Sequence, residues 1–174
     1  HAHLFWESYR EDFEDVLARA RAAGVERMVI VGTNVETSKA AFETCAKVPD
    51  LYPTAGIHPH DAHDSSGEAR AEIARLCRRK ECVGVGETGL DFFKMHSPLE
   101  EQRENFRWHL DLAREIDKPV IVHCRDAHEA TVELLRSVPG VRGVMHCYTL
   151  GARELPFYLD LGFYISFSGV VTYP

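Results

Sequence analysis

Short apolar segments of β-strand type recur along the chain, and segments of helical type separate them. Six strands are predicted, at residues 27–31, 51–57, 82–87, 119–123, 142–146 and 163–167. Alternating strands and helices are typical of a parallel sheet. The sheet could be doubly wound or closed into a (β/α)8 barrel, and periodicity alone does not separate these two architectures.

Residues that can bind a metal stand at the ends of apolar segments of this kind. They are His1, His3, Glu87, His123 and His146. A single histidine at a strand end is more often a hydrogen-bonded core or rim residue, but the recurrence favours a common site. All strands of a parallel barrel open their carboxyl ends on one rim, where imidazole and carboxylate ligands for a divalent ion could converge. Ligands at so many strand ends favour the barrel, because an open sheet concentrates its site at one crevice. We therefore predict the α/β class and a TIM-type (β/α)8 barrel, with His1-Ala2-His3 as the tail of a seventh strand.

The composition excludes some classes of protein. The 174 residues carry a net charge of −7, which argues against nucleic-acid binding through a broad basic face. DNA remains possible as a substrate, because bound metal ions can supply positive charge locally. No apolar segment is long enough to span a bilayer. The five cysteines form no CxxC pair and are expected to be reduced and structural, so we predict a cytoplasmic location. No protein partner is predicted.

Six segments carry a resemblance to a known family. They are His1–Leu4, Gly56–His60, Gly86–Asp91, His123–Ala127, His146–Tyr148 and Ile165–Gly169. In this order and spacing the chain resembles the TatD family of metal-dependent deoxyribonucleases, within the amidohydrolase-like metal-dependent hydrolases. The HxH motif alone is weak, whereas the segments together are highly specific and cover essentially the whole chain.

The resemblance implies a barrel with two divalent metal ions, Mn²⁺, Zn²⁺ or Mg²⁺. His1, His3 and Glu87 would hold the first ion, and Glu87, His123 and His146 the second. Glu87 would bridge the two ions and is the predicted catalytic residue. Two ions bridged in this way can hold a hydroxide and clamp a phosphate through attack and departure.

The sequence departs from the family pattern at its two ends. The sequence lacks two aspartates of the family pattern: the one two residues before the first histidine, and the one on strand eight. Glu154 and Asp160 cannot replace the strand-eight aspartate, because they fall in a predicted helix at 151–160. We expect residues 1–174 to be a single metal-dependent hydrolase domain, a barrel truncated at both ends that lacks the body of strand 1 and strand 8. The intact protein is expected to be longer.

Two residues are predicted to contact the substrate. His60 belongs to the turn IHPHDAH and could contact a phosphate, orient a ligand or simply shape the loop. Arg125 follows His123 closely and is suited to bidentate phosphate binding, unless it forms an ion pair with Asp126 or Glu129.

Further residues near the predicted rim offer weaker signals. Lys94 could steer a phosphate or be solvated. Phe92, Phe93 and Tyr148 could stack on nucleobases, although aromatic loop residues more often pack against the rim.

Three functions are compatible with these residues. The leading hypothesis is a two-metal phosphodiester hydrolase that degrades single-stranded DNA as a 3′–5′ exonuclease, with the polarity taken from the resemblance. The second is an ester or amide hydrolase of the same architecture, such as an aminoacyl-tRNA deacylase. The third is a non-enzymatic metal-binding protein. A carboxylate bridge, in place of the lysine of many amidohydrolases, favours the first.

Overall fold

A computed structural model describes residues 1–173 and contains one sheet of six parallel strands. The strands are β1 Met28–Val31, β2 Leu51–Ala55, β3 Gly84–Asp91, β4 Val120–Arg125, β5 Gly143–Met145 and β6 Tyr164–Ile165. Each strand pairs with the next one along the chain, in the order β1 to β6. A doubly wound sheet would reverse its strand order at a switch point, so this order is that of a (β/α)8 barrel.

Helices alternate with the strands. They are α1 Phe13–Ala22, α2 Val35–Cys45, α3 Gly67–Cys77, α4 Leu99–Glu115, α5 His128–Ser137 and α6 Leu155–Leu159, with 3₁₀ turns at Glu7–Tyr9, Pro59–Asp64 and Gly169–Thr172. Asn34 and Thr37 close a capping box at the start of α2. The predicted apolar stripe of α4, Phe106, Leu110 and Ala113, is buried in the core. None of the helices within residues 1–173 combines the length and the hydropathy that crossing a membrane requires.

The amino-terminal residues extend the sheet on the outer side of β1. Ala2 forms a parallel bridge with Ile30; its N–H donates to the Val29 carbonyl oxygen at 2.9 Å, and its own carbonyl accepts from Val31 N–H at 3.0 Å. Side chains alternate along a strand, so His1 and His3 leave the same face, as predicted.

The third strand differs from its prediction. The prediction of a strand at 82–87 that ends on Glu87 is wrong, because β3 begins at Gly84 and continues to Asp91, with Glu87 inside it. The pairing of β3 with β4 shifts register between Val85 and Thr88 and then resumes. The glycines of this segment allow a close approach between neighbouring strands.

The last helix and strand are shorter than predicted. The predicted helix at 151–160 is limited to Leu155–Leu159, and the predicted strand at 163–167 to Tyr164–Ile165. Pro156 lies in the first turn of the helix, where a proline is favoured and where its fixed φ sets the start.

Gly89 brings β3 and β4 together next to the candidate site. It pairs with His123 and has a φ of +140°, which L side chains rarely adopt. A Cβ at this position would overlap the His123 carbonyl oxygen. The position of His123 therefore depends on a glycine in the neighbouring strand.

We predict that Gly89→Ala lowers the free energy of unfolding by at least about 2 kcal/mol, through the clash and the unfavourable φ. Gly67→Ala is the matched control, because nothing lies within 4 Å of a Cβ at Gly67 and its φ is ordinary. The control should change stability by less than about 1 kcal/mol in urea unfolding. Equal effects of the two substitutions would contradict the close approach of the strands.

Two buried polar residues of α4 fix the end of β2. His109 Nε2 accepts from Ile57 N–H at 3.0 Å, His109 Nδ1–H donates to the Asn105 carbonyl oxygen at 2.8 Å, and Asn105 Nδ2 donates to the Ile57 carbonyl oxygen at 2.8 Å. The backbone N–H and the carbonyl oxygen of Ile57 are therefore both hydrogen-bonded, which fixes the backbone immediately before His58. Burial lowers the pKa of His109 to about 4, although the bond to Asn105 partly opposes this.

This lowered pKa predicts a loss of stability in mild acid. Above about pH 6.5 His109 is neutral in both states. As the pH falls from about 6.5 towards the folded-state pKa of about 4, the unfolded chain gains a proton that the folded chain does not, so stability falls. Between pH 7.5 and pH 5 the native protein should lose about 2 kcal/mol more than His109→Gln in urea unfolding. If the free energy of unfolding changes with pH equally in the two proteins, burial of His109 does not cause the loss of stability in acid.

Candidate metal centre

Glu87 is the carboxylate at the centre of the site, and only 4% of its surface is exposed. Its two oxygens face different imidazoles: Oε2 lies 3.3 Å from His1 Nε2, and Oε1 lies 3.3 Å from His123 Nδ1. Burial alone would raise the pKa of Glu87. The hydrogen bond from His123 and the charges of the nearby imidazoles outweigh burial and lower this pKa to about 2. Glu87 is therefore an ionised acceptor on both sides.

His1, His3 and Glu87 form one group of possible ligands. Their nitrogen and oxygen atoms all lie within 4.8 Å of one another, with His1 Nε2 and His3 Nε2 3.3 Å apart. His3 Nδ1–H donates to the Val31 carbonyl oxygen at 2.8 Å, so the lone pair of a neutral His3 is on Nε2, facing the group. These three residues are the set predicted for the first ion.

A second group lies on the other side of Glu87. It consists of His58, Glu87 and His123, again within 4.8 Å of one another. The sequence analysis assigned His123 to the second ion but did not include His58. His58 Nε2 is 3.9 Å from Glu87 Oε1, and burial lowers the pKa of His58 to about 3, so its ring is neutral.

The hydrogen bonds of His58 determine what it can do in this group. His58 Nδ1 accepts from His60 N–H at 3.2 Å, which leaves the proton of the neutral ring on Nε2. That nitrogen faces Glu87. In this tautomer His58 directs an N–H towards the carboxylate at 3.9 Å, beyond hydrogen-bond distance, whereas a metal ligand would need a free lone pair there.

His146 lies beside His1. Its ring stacks on that of His1, with the centroids 3.6 Å apart and the planes at 9°. It is close enough to contribute to the lowered pKa of Glu87. Its assignment to the second ion, as a partner of His123, stays a prediction.

Asp91 is a site residue that the sequence analysis missed. It is 1% exposed, and its Oδ2 accepts from His123 Nε2 at 3.0 Å and from His60 Nε2 at 2.9 Å. Burial would raise the pKa of Asp91, but the bonds from Lys94 N–H, His60 and His123 lower it to about 2. An ionised Asp91 accepts the Nε2 proton of His123 and so fixes the ring with Nδ1 directed towards Glu87. Asp91 is the last residue of β3, so a prediction that extended this strand beyond Glu87 would have placed Asp91 at its carboxyl end.

The two predicted substrate contacts both lie beside this centre. His60 is half-buried and bonded to Asp91. Arg125 is exposed, and its guanidinium carbon lies 4.0 Å from the centroid of the Phe93 ring. The ion pairs found within residues 1–173 do not include Arg125, so the alternative of a pair with Asp126 or Glu129 is wrong.

The donor atoms fit metal binding. Imidazole nitrogen and carboxylate oxygen are ligands for Zn²⁺, Mn²⁺ and related ions, and each group offers them from separate segments of the chain. Two of the histidines are also fixed by a second hydrogen bond, to Val31 and to Asp91, as metal-binding histidines usually are.

Comparison with known proteins identifies the family. Residues 1–174 match the family described as "TatD related DNase". The chain belongs to the TatD family. The resemblance seen in the sequence is therefore confirmed.

Individual TatD relatives agree with this assignment. The "3'-5' ssDNA/RNA exonuclease TatD" of Salmonella typhimurium is 38% identical over 94% of this chain, which spans 64% of that protein. The "Uncharacterized metal-dependent hydrolase YabD" of Bacillus subtilis is 40% identical over 99% of this chain and 69% of its own length. Among solved structures, the TatD homologue YjjV of Escherichia coli superposes with a TM-score of 0.92 at 28% identity, over 100% of this chain and 68% of that one. The predicted barrel-type α/β fold is thereby confirmed.

The role of Asp91 gives a testable prediction. Asp91→Asn should weaken Mn²⁺ binding by about 10- to 100-fold, because its single acceptor oxygen cannot serve both the two histidines and the backbone N–H groups of Phe93 and Lys94. Asp126→Asn is the matched control: Asp126 is exposed, and asparagine tolerates its φ of 53°. Isothermal titration of the whole protein with Mn²⁺ measures both affinities. Equal affinities in the two variants would show that Asp91 does not orient a ligand.

Proposed function

We propose that this TatD protein is a metal-dependent nuclease that removes nucleotides from the 3′ ends of single-stranded DNA. One observation carries the proposal: Glu87 offers one oxygen to each of two imidazole groups. A shared carboxylate between two nitrogen-rich groups is the arrangement that two-metal phosphodiester hydrolysis uses. The names of the relatives, such as the Salmonella exonuclease, support the polarity and the substrate.

The residues suit two divalent ions, with His1, His3 and Glu87 around one and Glu87, His123 and His146 around the other. Histidine-rich groups favour Mn²⁺ or Zn²⁺ over Mg²⁺. Such ions, when bound, activate water and neutralise charge on a phosphate. Among the chain's own residues, Glu87 remains ionised, Asp91 orients His123, and His58 directs an N–H towards Glu87.

Substrate binding is assigned to His60 and Arg125. Asp91 holds the His60 ring at the rim, and Arg125 can donate two parallel hydrogen bonds to a phosphate. A strand end with unstacked bases can enter such a rim, whereas a duplex terminus is stacked and paired. Single-stranded DNA is therefore the preferred substrate in this proposal.

We further propose that residues 1–174 form one domain and that the protein acts in the cytoplasm. One sheet contains all six strands, and every strand pairs with its neighbour in the chain. All five cysteines are free thiols, which suits a reducing compartment. No protein partner is proposed.

The proposal predicts the direction of degradation. The whole protein with Mn²⁺ should degrade a single-stranded oligonucleotide blocked at its 5′ end and spare one blocked at its 3′ end. Gel analysis of end-labelled oligonucleotides measures this directly. Equal degradation of both would refute the polarity, and robust hydrolysis of ester or amide substrates without loss of DNA would support the alternative hydrolase.

A matched pair of variants tests the role of Glu87 in the same assay. Glu87→Gln should lower the rate by at least about 100-fold, because it removes the charge that both groups share. Glu43→Gln, on the exposed surface of α2, should leave the rate unchanged. A rate for Glu87→Gln close to that of the control would remove the basis of the two-metal proposal.

A further inference from the structure

An aromatic ring and two cations form a small exposed platform beside the candidate metal centre. The Phe93 side chain is 57% exposed. The guanidinium carbon of Arg125 lies 4.0 Å from the centroid of this ring, and Lys94 Nζ lies 5.9 Å from it. A single exposed aromatic residue is common, but here two cations lie against its ring beside the candidate site.

Asp91 fixes this platform to the site. Its Oδ1 accepts the backbone N–H groups of Phe93 at 3.1 Å and Lys94 at 2.8 Å, while its Oδ2 binds His123. Phe92 N–H also donates to the Arg125 carbonyl oxygen at 2.9 Å. One buried carboxylate therefore sets the loop that bears Phe93 and orients a predicted metal ligand.

The position of Arg125 along its strand places it within reach of the same substrate. It lies two residues beyond His123 on β4, so the two side chains leave the same face, about 7 Å apart along the strand. Within residues 1–173 neither Arg125 nor Lys94 takes part in an ion pair. Both charges are available to an anion, in a protein whose net charge is −7.

We propose that Phe93 and Arg125 form a nucleotide subsite, in which an unstacked base of the substrate stacks on the Phe93–Arg125 pair and Arg125 contacts a phosphate. The subsite rests on the proposed function and adds a specific recognition element to it. Stacking on an aromatic face tolerates any base, and a guanidinium beside the ring adds a cation–π contribution. Only a base released from its complement can occupy it, which gives a physical reason for preferring single strands.

The experiment is a double-mutant cycle between protein and DNA. Oligonucleotides carry an abasic analogue at one of the last three 3′ positions, and each is compared with the intact strand. Binding is measured by fluorescence anisotropy in the presence of a chelator, and kcat/KM in the presence of Mn²⁺. With the native protein, one abasic position should weaken binding about tenfold. Phe93→Ala should weaken binding of intact DNA by a similar factor and show almost no further loss on the abasic strand.

Conservative variants and a control separate stacking from a general structural effect. Phe93→Tyr should restore the discrimination between intact and abasic DNA. Arg125→Ala should lower the dependence of log affinity on log salt by about 0.7, the value for one phosphate of a single strand. Phe157→Ala is the matched control, since Phe157 is an exposed phenylalanine beside Arg136 on other helices. It should bind DNA like the native protein.

The outcomes distinguish the subsite from the nuclease activity. If DNA is degraded but Phe93→Ala and the abasic position lower the binding affinity independently of each other, the subsite is wrong and the proposed function stands. If the cycle shows coupling in binding but DNA is not degraded, the subsite stands and the proposed function is wrong. Binding by Phe93→Ala that equals that of the native protein also refutes the subsite.

Discussion

The burial of one ionised carboxylate, Glu87, constrains the rest of this structure. An isolated buried charge is unfavourable by several kcal/mol, so it requires charged or hydrogen-bonding partners on every side. Imidazoles from the amino-terminal segment, from β4 and from the turn after β2 supply them. The parallel strands must therefore bring their carboxyl ends to one point, and the barrel-type order of the sheet does this.

The positions of these imidazoles depend on residues that cannot bind a metal themselves. Asn105 and His109 hold both polar groups of Ile57, just before His58. Gly89 allows the backbone of β4 to approach β3 at His123. Each contact is buried, so each also contributes to stability. Variants of these positions should for this reason change folding and metal binding together, whereas exposed rim residues can change substrate binding alone.

The sequence predicts the order of the strands and the convergence of His1, Glu87 and His123, although Glu87 and His123 lie within β3 and β4 and not at their ends. It does not predict the roles of His58 and Asp91. His58 reaches the site from a turn, and its tautomer depends on a backbone contact within that turn. Asp91 lies beyond the predicted end of the third strand at Glu87, and only pairing with β4 shows that the strand continues. Both roles arise from tertiary contacts that periodicity does not encode.

The distribution of positive charge is compatible with the proposed nucleic-acid substrate, although the protein is acidic overall. Most arginines of the outer helices are paired with carboxylates, such as Arg78 with Glu115 and Arg103 with Glu133. Exposed pairs of this kind contribute little to stability, but they leave little free charge on the outer surface. Arg125 and Lys94 form no ion pair within residues 1–173, and both lie over the exposed Phe93 ring beside the candidate metal centre. Under the proposed function the attraction would therefore be local, at the rim, and the remaining acidic surface would not contribute to it.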